Sequence, residues 1–75
     1  MDQESLMLNL ALAERTASGA MARLQAHRGL IFRMKVLGIN STRVCATLEV
    51  LEQTHDICTA EVRRLRAALA SLPRH

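Results

Sequence analysis

The sequence predicts an all-α protein, an antiparallel two-helix hairpin that resembles a coiled coil. Two segments place apolar residues at alternating spacings of four and three, which keeps them on one side of a helix. A short break at residues 38–42 separates the segments, so the chain folds back there. The first stripe comprises Leu6, Leu10, Ala13, Ala17, Ala20, Leu24, His27, Ile31 and Met34, and the second Val44, Leu48, Leu51, His55, Cys58, Val62, Leu65, Leu69 and Leu72. We expect one domain over residues 1–75.

Helix 1 is predicted over about residues 3–37. Asp2 is a suitable N-cap, because its carboxylate can accept hydrogen bonds from the first free backbone amides. At the other end, Gly38 suits the left-handed conformation that often follows a helix, with Ile39 as its apolar partner. Residues 38–41 are therefore predicted to form the turn.

Helix 2 is predicted over about residues 42–72. One of the three polar residues at positions 40–42 is expected to cap its start, and Pro73 to stop it. Folding the chain back near residue 39 pairs positions whose numbers sum to about 79. Three oppositely charged pairs then fall opposite each other, namely Arg23 with Asp56, Arg28 with Glu52, and Glu14 with Arg66.

The composition and termini indicate a small cytoplasmic protein. The net charge is +3, and the acidic start Met-Asp-Gln-Glu is unlike a secretory signal. No uncharged apolar run approaches the ~20 residues of a transmembrane helix. Cys45 and Cys58 would lie about 20 Å apart on one helix, so we expect free thiols in a reducing compartment.

The outward positions of helix 1 are unusually apolar and small. Helix 1 has thirteen outward positions, and only Arg15 and Arg33 among them are charged. The outside of helix 2 carries several charges. A helix that avoids charge all round is normally covered, so we predict a protein interface on this side. Its residues are Leu8, Leu12, Ser18, Gly19, Ala22, Ala26, Gly29, Phe32 and Val36.

Three explanations of this face remain open. A second copy could cover it, giving a homodimeric four-helix bundle in which helix 1 meets its symmetry mate. A helix of a different protein could occupy the same strip. Finally, the face could simply reflect an alanine-rich composition that favours helix.

The sequence predicts no catalytic, cofactor-binding or metal-binding residues. His27, His55 and Cys58 lie in the stripes, and packing or a polar layer that specifies register explains them better than a zinc site does. There is no phosphate-binding glycine loop or paired-carboxylate site. We therefore expect the protein not to be an enzyme.

The leading hypothesis for function is a protein-interaction module, such as an adaptor, co-chaperone or regulatory subunit. The alternative is an RNA- or DNA-binding helical dimer, whose arginine patch would comprise Arg15, Arg63, Arg64 and Arg66. A membrane-surface role for the basic, apolar turn end ranks third. The layout is similar to plasmid copy-number RNA-binding hairpins, secretion co-chaperones and anti-activators, but layout alone does not choose among functions.

Overall fold

The computed structural model describes residues 2–73, and within them the chain forms two long helices. Helix α1 runs Gln3–Val36 and helix α2 runs Thr42–Ala70. The helices pack against each other within a body of 61 × 14 × 13 Å. Because five residues join two helices in so narrow a body, the helices lie antiparallel. The predicted helical hairpin is confirmed, with α1 ending one residue and α2 two residues earlier than expected.

Asp2 caps α1 as the sequence predicts. Its Oδ1 accepts a hydrogen bond from the backbone amide of Ser5 at 2.7 Å, which satisfies one of the free donors at the helix start. The same hydrogen bond favours the ionised carboxylate, so the pKa of Asp2 lies below its ordinary value. Met1 and residues 74–75, which the sequence analysis included in the domain, lie outside the described part of the chain.

The turn begins with the two-bond arrangement known as a Schellman motif. The Ile39 amide donates to the Met34 carbonyl at 2.8 Å, and the Gly38 amide donates to the Lys35 carbonyl at 3.2 Å. Gly38 has φ of 73°, a conformation that glycine adopts without steric cost. The last carbonyls of α1 are thereby paired while the chain reverses direction.

Asn40 supplies the side-chain cap of α2. Its Oδ1 accepts from the Thr42 amide at 3.0 Å and from the Thr42 hydroxyl at 2.7 Å. Ser41 occupies the N-cap position, but its side chain makes no capping hydrogen bond. Of the three polar residues that the sequence left as candidates, Asn40 therefore holds the start of the helix.

The core of the hairpin is the seam where the two stripes meet. All eighteen stripe residues are buried or half-buried. Among residues 2–73, the six buried hydrophobic residues all belong to the stripes, and they are Leu6, Ala20, Leu24, Ile31, Val62 and Leu65. The radius of gyration is 17.2 Å, against about 11 Å for a compact domain of this length. The molecule is a rod with little interior.

One of the three predicted ion pairs across the seam forms. An Arg66 guanidinium nitrogen lies 3.3 Å from Glu14 Oε1, which agrees with the predicted register. The pairs expected for Arg23 with Asp56 and for Arg28 with Glu52 are absent among residues 2–73, so that part of the prediction is wrong. Arg23 instead lies along its own helix beside Gly19.

The left-handed turn residue provides a test of the fold. We expect Gly38→Ala to lower the free energy of unfolding by about 1 kcal/mol, because an L side chain at this φ is strained. Gly38→Asn serves as the control and should cost less, since asparagine tolerates the left-handed region. Thermal melts by circular dichroism at one protein concentration measure both variants, and equal stability of wild type and Gly38→Ala would contradict this account.

The seam provides a second test. Leu65 is 2% exposed, so Leu65→Ala should lower the free energy of unfolding by about 2–5 kcal/mol. Val50 is 60% exposed on the other side of the same helix, and Val50→Ala should stay within about 0.5 kcal/mol of wild type. Urea titration of both variants checks the prediction, which fails if the two losses are alike.

Candidate protein-interaction surface

The nine residues predicted as an interface lie on the side of α1 away from the seam, called here the outer face of α1. Eight of them are exposed and Gly19 is half-buried. The four large residues stand well clear of the hairpin, with Leu8 62%, Leu12 55%, Phe32 69% and Val36 70% exposed. Between these two apolar ends, the remaining five of the nine residues are small, and Arg15 and Gln25 are exposed on the same side of the helix. The structure thus brings the predicted set together on one side of α1.

Two glycines on this face have no packing role within the hairpin. A Cβ at Gly29 would meet no atom within 4 Å, and at Gly19 it would meet only the mobile end of Arg23 at 3.9 Å. Glycine inside a helix costs about 1 kcal/mol relative to alanine. The contacts of α1 with α2 therefore give no reason for either glycine.

Apolar side chains also cluster at the turn end of the rod. Phe32, Arg33, Val36 and Leu37 line an open groove of about 220 Å³. Leu37 is 72% exposed, so the groove adjoins further apolar surface at the turn. The turn end therefore exposes three large apolar side chains, Phe32, Val36 and Leu37, beside an open groove.

The outside of α2 is less polar than the sequence analysis concluded. Val50 is 60% and Ile57 71% exposed, seven residues apart on one side of the helix. Ile57 borders a second groove of about 230 Å³, formed with Ala13, Thr16, Cys58 and Glu61. This pair was missed because charged residues lie between Val50 and Ile57. The spacing of the pair, two helical turns, was nevertheless visible in the sequence.

The arginine patch of the alternative hypothesis is exposed but partly neutralised. Arg64 donates to both carboxylate oxygens of Glu61, at 2.9 and 2.6 Å. This pairing lowers the pKa of Glu61 and raises that of Arg64. Arg66 is paired with Glu14. Two of the four arginines therefore already have a carboxylate partner, whereas Arg15 and Arg63 have no ion pair among residues 2–73.

The stripe residues with reactive side chains are His27, Cys45, His55 and Cys58. Cys45 and Cys58 are free and half-buried. His55 Nδ1 lies 4.0 Å from the neighbouring Asp56 carboxylate. Within residues 2–73, His, Cys, Asp and Glu side chains nowhere gather in a group of three that could hold a metal ion. The described residues that line grooves are mostly apolar.

Comparison with known protein families, with curated proteins and with solved structures finds no match to this chain. Within residues 2–73, neither helix has the length and continuous apolar character that a membrane-spanning helix requires.

The charge pairing leads to a test of nucleic-acid binding. With two of the four arginines paired, the patch of one chain would neutralise about two phosphates, and the slope of log K against log salt should be no steeper than about −2 per chain bound. We expect weak binding of this kind to duplex DNA and to RNA, measured by fluorescence anisotropy from 50 to 200 mM salt. A slope near −4 per chain bound that falls in the quadruple Arg→Gln variant would favour the alternative function.

Proposed function

We propose that this protein is a non-enzymatic, cytoplasmic protein-interaction module of the adaptor, co-chaperone or regulatory-subunit type. It acts by packing the outer face of α1 against another helix. The occupant is either a second copy of the chain, which would form a homodimeric four-helix assembly, or a helix of a different protein. Both occupants use the same surface.

The observation that carries this proposal is the contrast between the two helices. α1 exposes four large apolar side chains on a side with two charges among thirteen positions. The corresponding side of α2 carries acids and arginines around Val50 and Ile57. Apolar side chains gain about 25 cal/mol for each Å² removed from water. A partner that covers α1 gains this free energy without desolvating paired charges.

The small residues in the middle of the face suit a helical partner in particular. Ser18, Ala22 and Ala26 recur at intervals of four and are all exposed, so a helix backbone can approach closely there. The large residues at both ends then contact the sides of the partner helix. An amphipathic helix lying in such a strip is a recurrent mode of peptide recognition.

Site-specific cross-linking in cells that express the protein tests this surface. A photoreactive amino acid at position 22 should trap a polypeptide, either a second copy or another protein, which mass spectrometry identifies. The matched control is position 60, also an exposed alanine but on the outside of α2. Equal trapping at both positions, or none at position 22, contradicts the proposal.

Binding of the trapped partner is then measured with purified proteins. Ala22→Glu should weaken binding about tenfold or more, because an unpaired carboxylate would be buried in the contact. Ala60→Glu should leave the affinity within about twofold, since surface changes away from a contact have small effects. Both variants keep a good helix former at an exposed position, so circular dichroism should show unchanged helix content. Similar affinities for the two variants would refute the assignment.

A further inference from the structure

The outer face of α1 is arranged nearly symmetrically about Ala22. Leu8 and Val36 lie fourteen residues on either side of it, Leu12 and Phe32 ten, and Ser18 and Ala26 four. From this we infer that the occupant of the face is a second copy of the chain, packed antiparallel with a two-fold axis at Ala22. The inference rests on the proposed function, since it names the partner of the same surface.

A two-fold interface requires that residue i meets residue j of the partner while j meets i of the partner. Antiparallel packing about Ala22 satisfies this rule with matched sizes. Large residues meet at both ends, where Leu8 faces the partner's Val36 and Leu12 faces the partner's Phe32. The groove of about 220 Å³ beside Val36 receives the partner's Leu8. Small residues meet in the middle, where the backbones come closest.

The charge distribution along α1 agrees with the antiparallel orientation. Its acids, Glu4 and Glu14, lie in the first half of the helix, and Asp2 precedes them. Four bases lie in the second half, and they are Arg23, Arg28, Arg33 and Lys35. Antiparallel copies place Glu4 nearest the basic end of the partner's α1, whereas parallel copies would place Arg15 and Arg33 each beside its own counterpart. Glu14 does not contribute, because it is paired with Arg66 across the seam.

In the first half of α1, Arg15 is the one charged residue near the centre line of the outer face. The partner's Gly29 leaves room for it. Both lie seven residues from Ala22, so the geometry places Arg15 opposite the partner's Gly29. The space beside Gly29 is open, with no atom within 4 Å of a Cβ there. The aliphatic part of Arg15 passes through this space while its guanidinium reaches water. The exposed glycine thus acquires a packing reason that the hairpin alone does not provide.

The exposed area is also sufficient for such a dimer. The hairpin has 5909 Å² of accessible surface. This is about 1,300 Å² more than the roughly 4,600 Å² of a compact monomer of the same mass. A standard interface removes about 800 Å² per partner. One antiparallel copy along residues 8–36, about 42 Å of helix, accounts for an interface of that size.

The arrangement of the four helices follows from the position of the face. The outer face lies opposite the seam, so α1 is covered on two opposite sides, by α2 and by the partner's α1. The helices then form one layer with the two α1 helices in the middle and the α2 helices at the edges. Such a layer needs an α1 with few outward charges and an α2 with a solvated outside, which matches the pattern observed.

Disulfide trapping in the full chain tests the orientation. Ser18→Cys and Ala26→Cys are each made with Cys45→Ala and Cys58→Ala, then mixed while reduced and oxidised together. The antiparallel dimer joins position 18 to position 26, so the mixed product, distinct in mass, should exceed either homodimer at least tenfold. Random pairing gives twice either homodimer, and parallel packing gives the homodimers alone; both results overturn the inference. A disulfide requires Cα atoms within about 7 Å, and 18–18 pairing is about 12 Å out of register.

If the variants that lack Cys45 and Cys58 do not fold, light scattering on the native chain under reducing conditions tests the inference instead. Wild type and Ala60→Glu should have twice the monomer mass, and Ala22→Glu should be mostly monomeric at the same concentration. A monomeric wild type overturns the inference. If cross-linking at position 22 nevertheless traps a different protein, only the identity of the occupant is wrong. If it traps nothing, the proposed function fails as well.

Discussion

The apolar seam between α1 and α2 is the interaction on which the whole structure depends. All of its eighteen positions are buried or half-buried, and the six buried hydrophobic residues among residues 2–73 all belong to it. Residues 2–73 contain no third helix or sheet to share this role. Because the partner helix in a hairpin covers only one side, the seam also determines which side of α1 is left exposed. The candidate interface is therefore a geometric consequence of the same packing that holds the fold together.

Much of the fold could be predicted because its determinants are local. The stripe spacing defines the helices, and Asp2 and Gly38 act through hydrogen bonds with residues close in sequence. The same local rules could not decide which of several neighbouring polar or charged side chains makes a given contact. Asn40 rather than Ser41 caps α2, and Arg23 lies along α1 instead of reaching Asp56. Such outcomes depend on side-chain rotamers, which a helical periodicity does not specify.

The sequence could predict which residues of α1 are exposed, but not which molecule covers them. Residues opposite the seam had to be exposed, and eight of the nine are. The exposed pair Val50 and Ile57 was missed because charged residues surround it on α2. The identity of an occupant depends on a second surface, which a single sequence shows only when the partner is a copy of the same chain. The near-symmetry about Ala22 is the observation from which we infer a second copy as the occupant.

The rod shape has a consequence for how the molecule holds itself together. In a body 61 Å long and about 14 Å across, each layer of side chains contacts only the layers before and after it. The free energy of folding is then a sum of contributions from neighbouring layers, as in repeat proteins. The end away from the turn opens most readily, because no loop joins the helices there. A helix lying along α1 from Leu8 to Val36 would contact many layers at once. Assembly would thereby turn a hairpin that unzips gradually into a unit that opens all together.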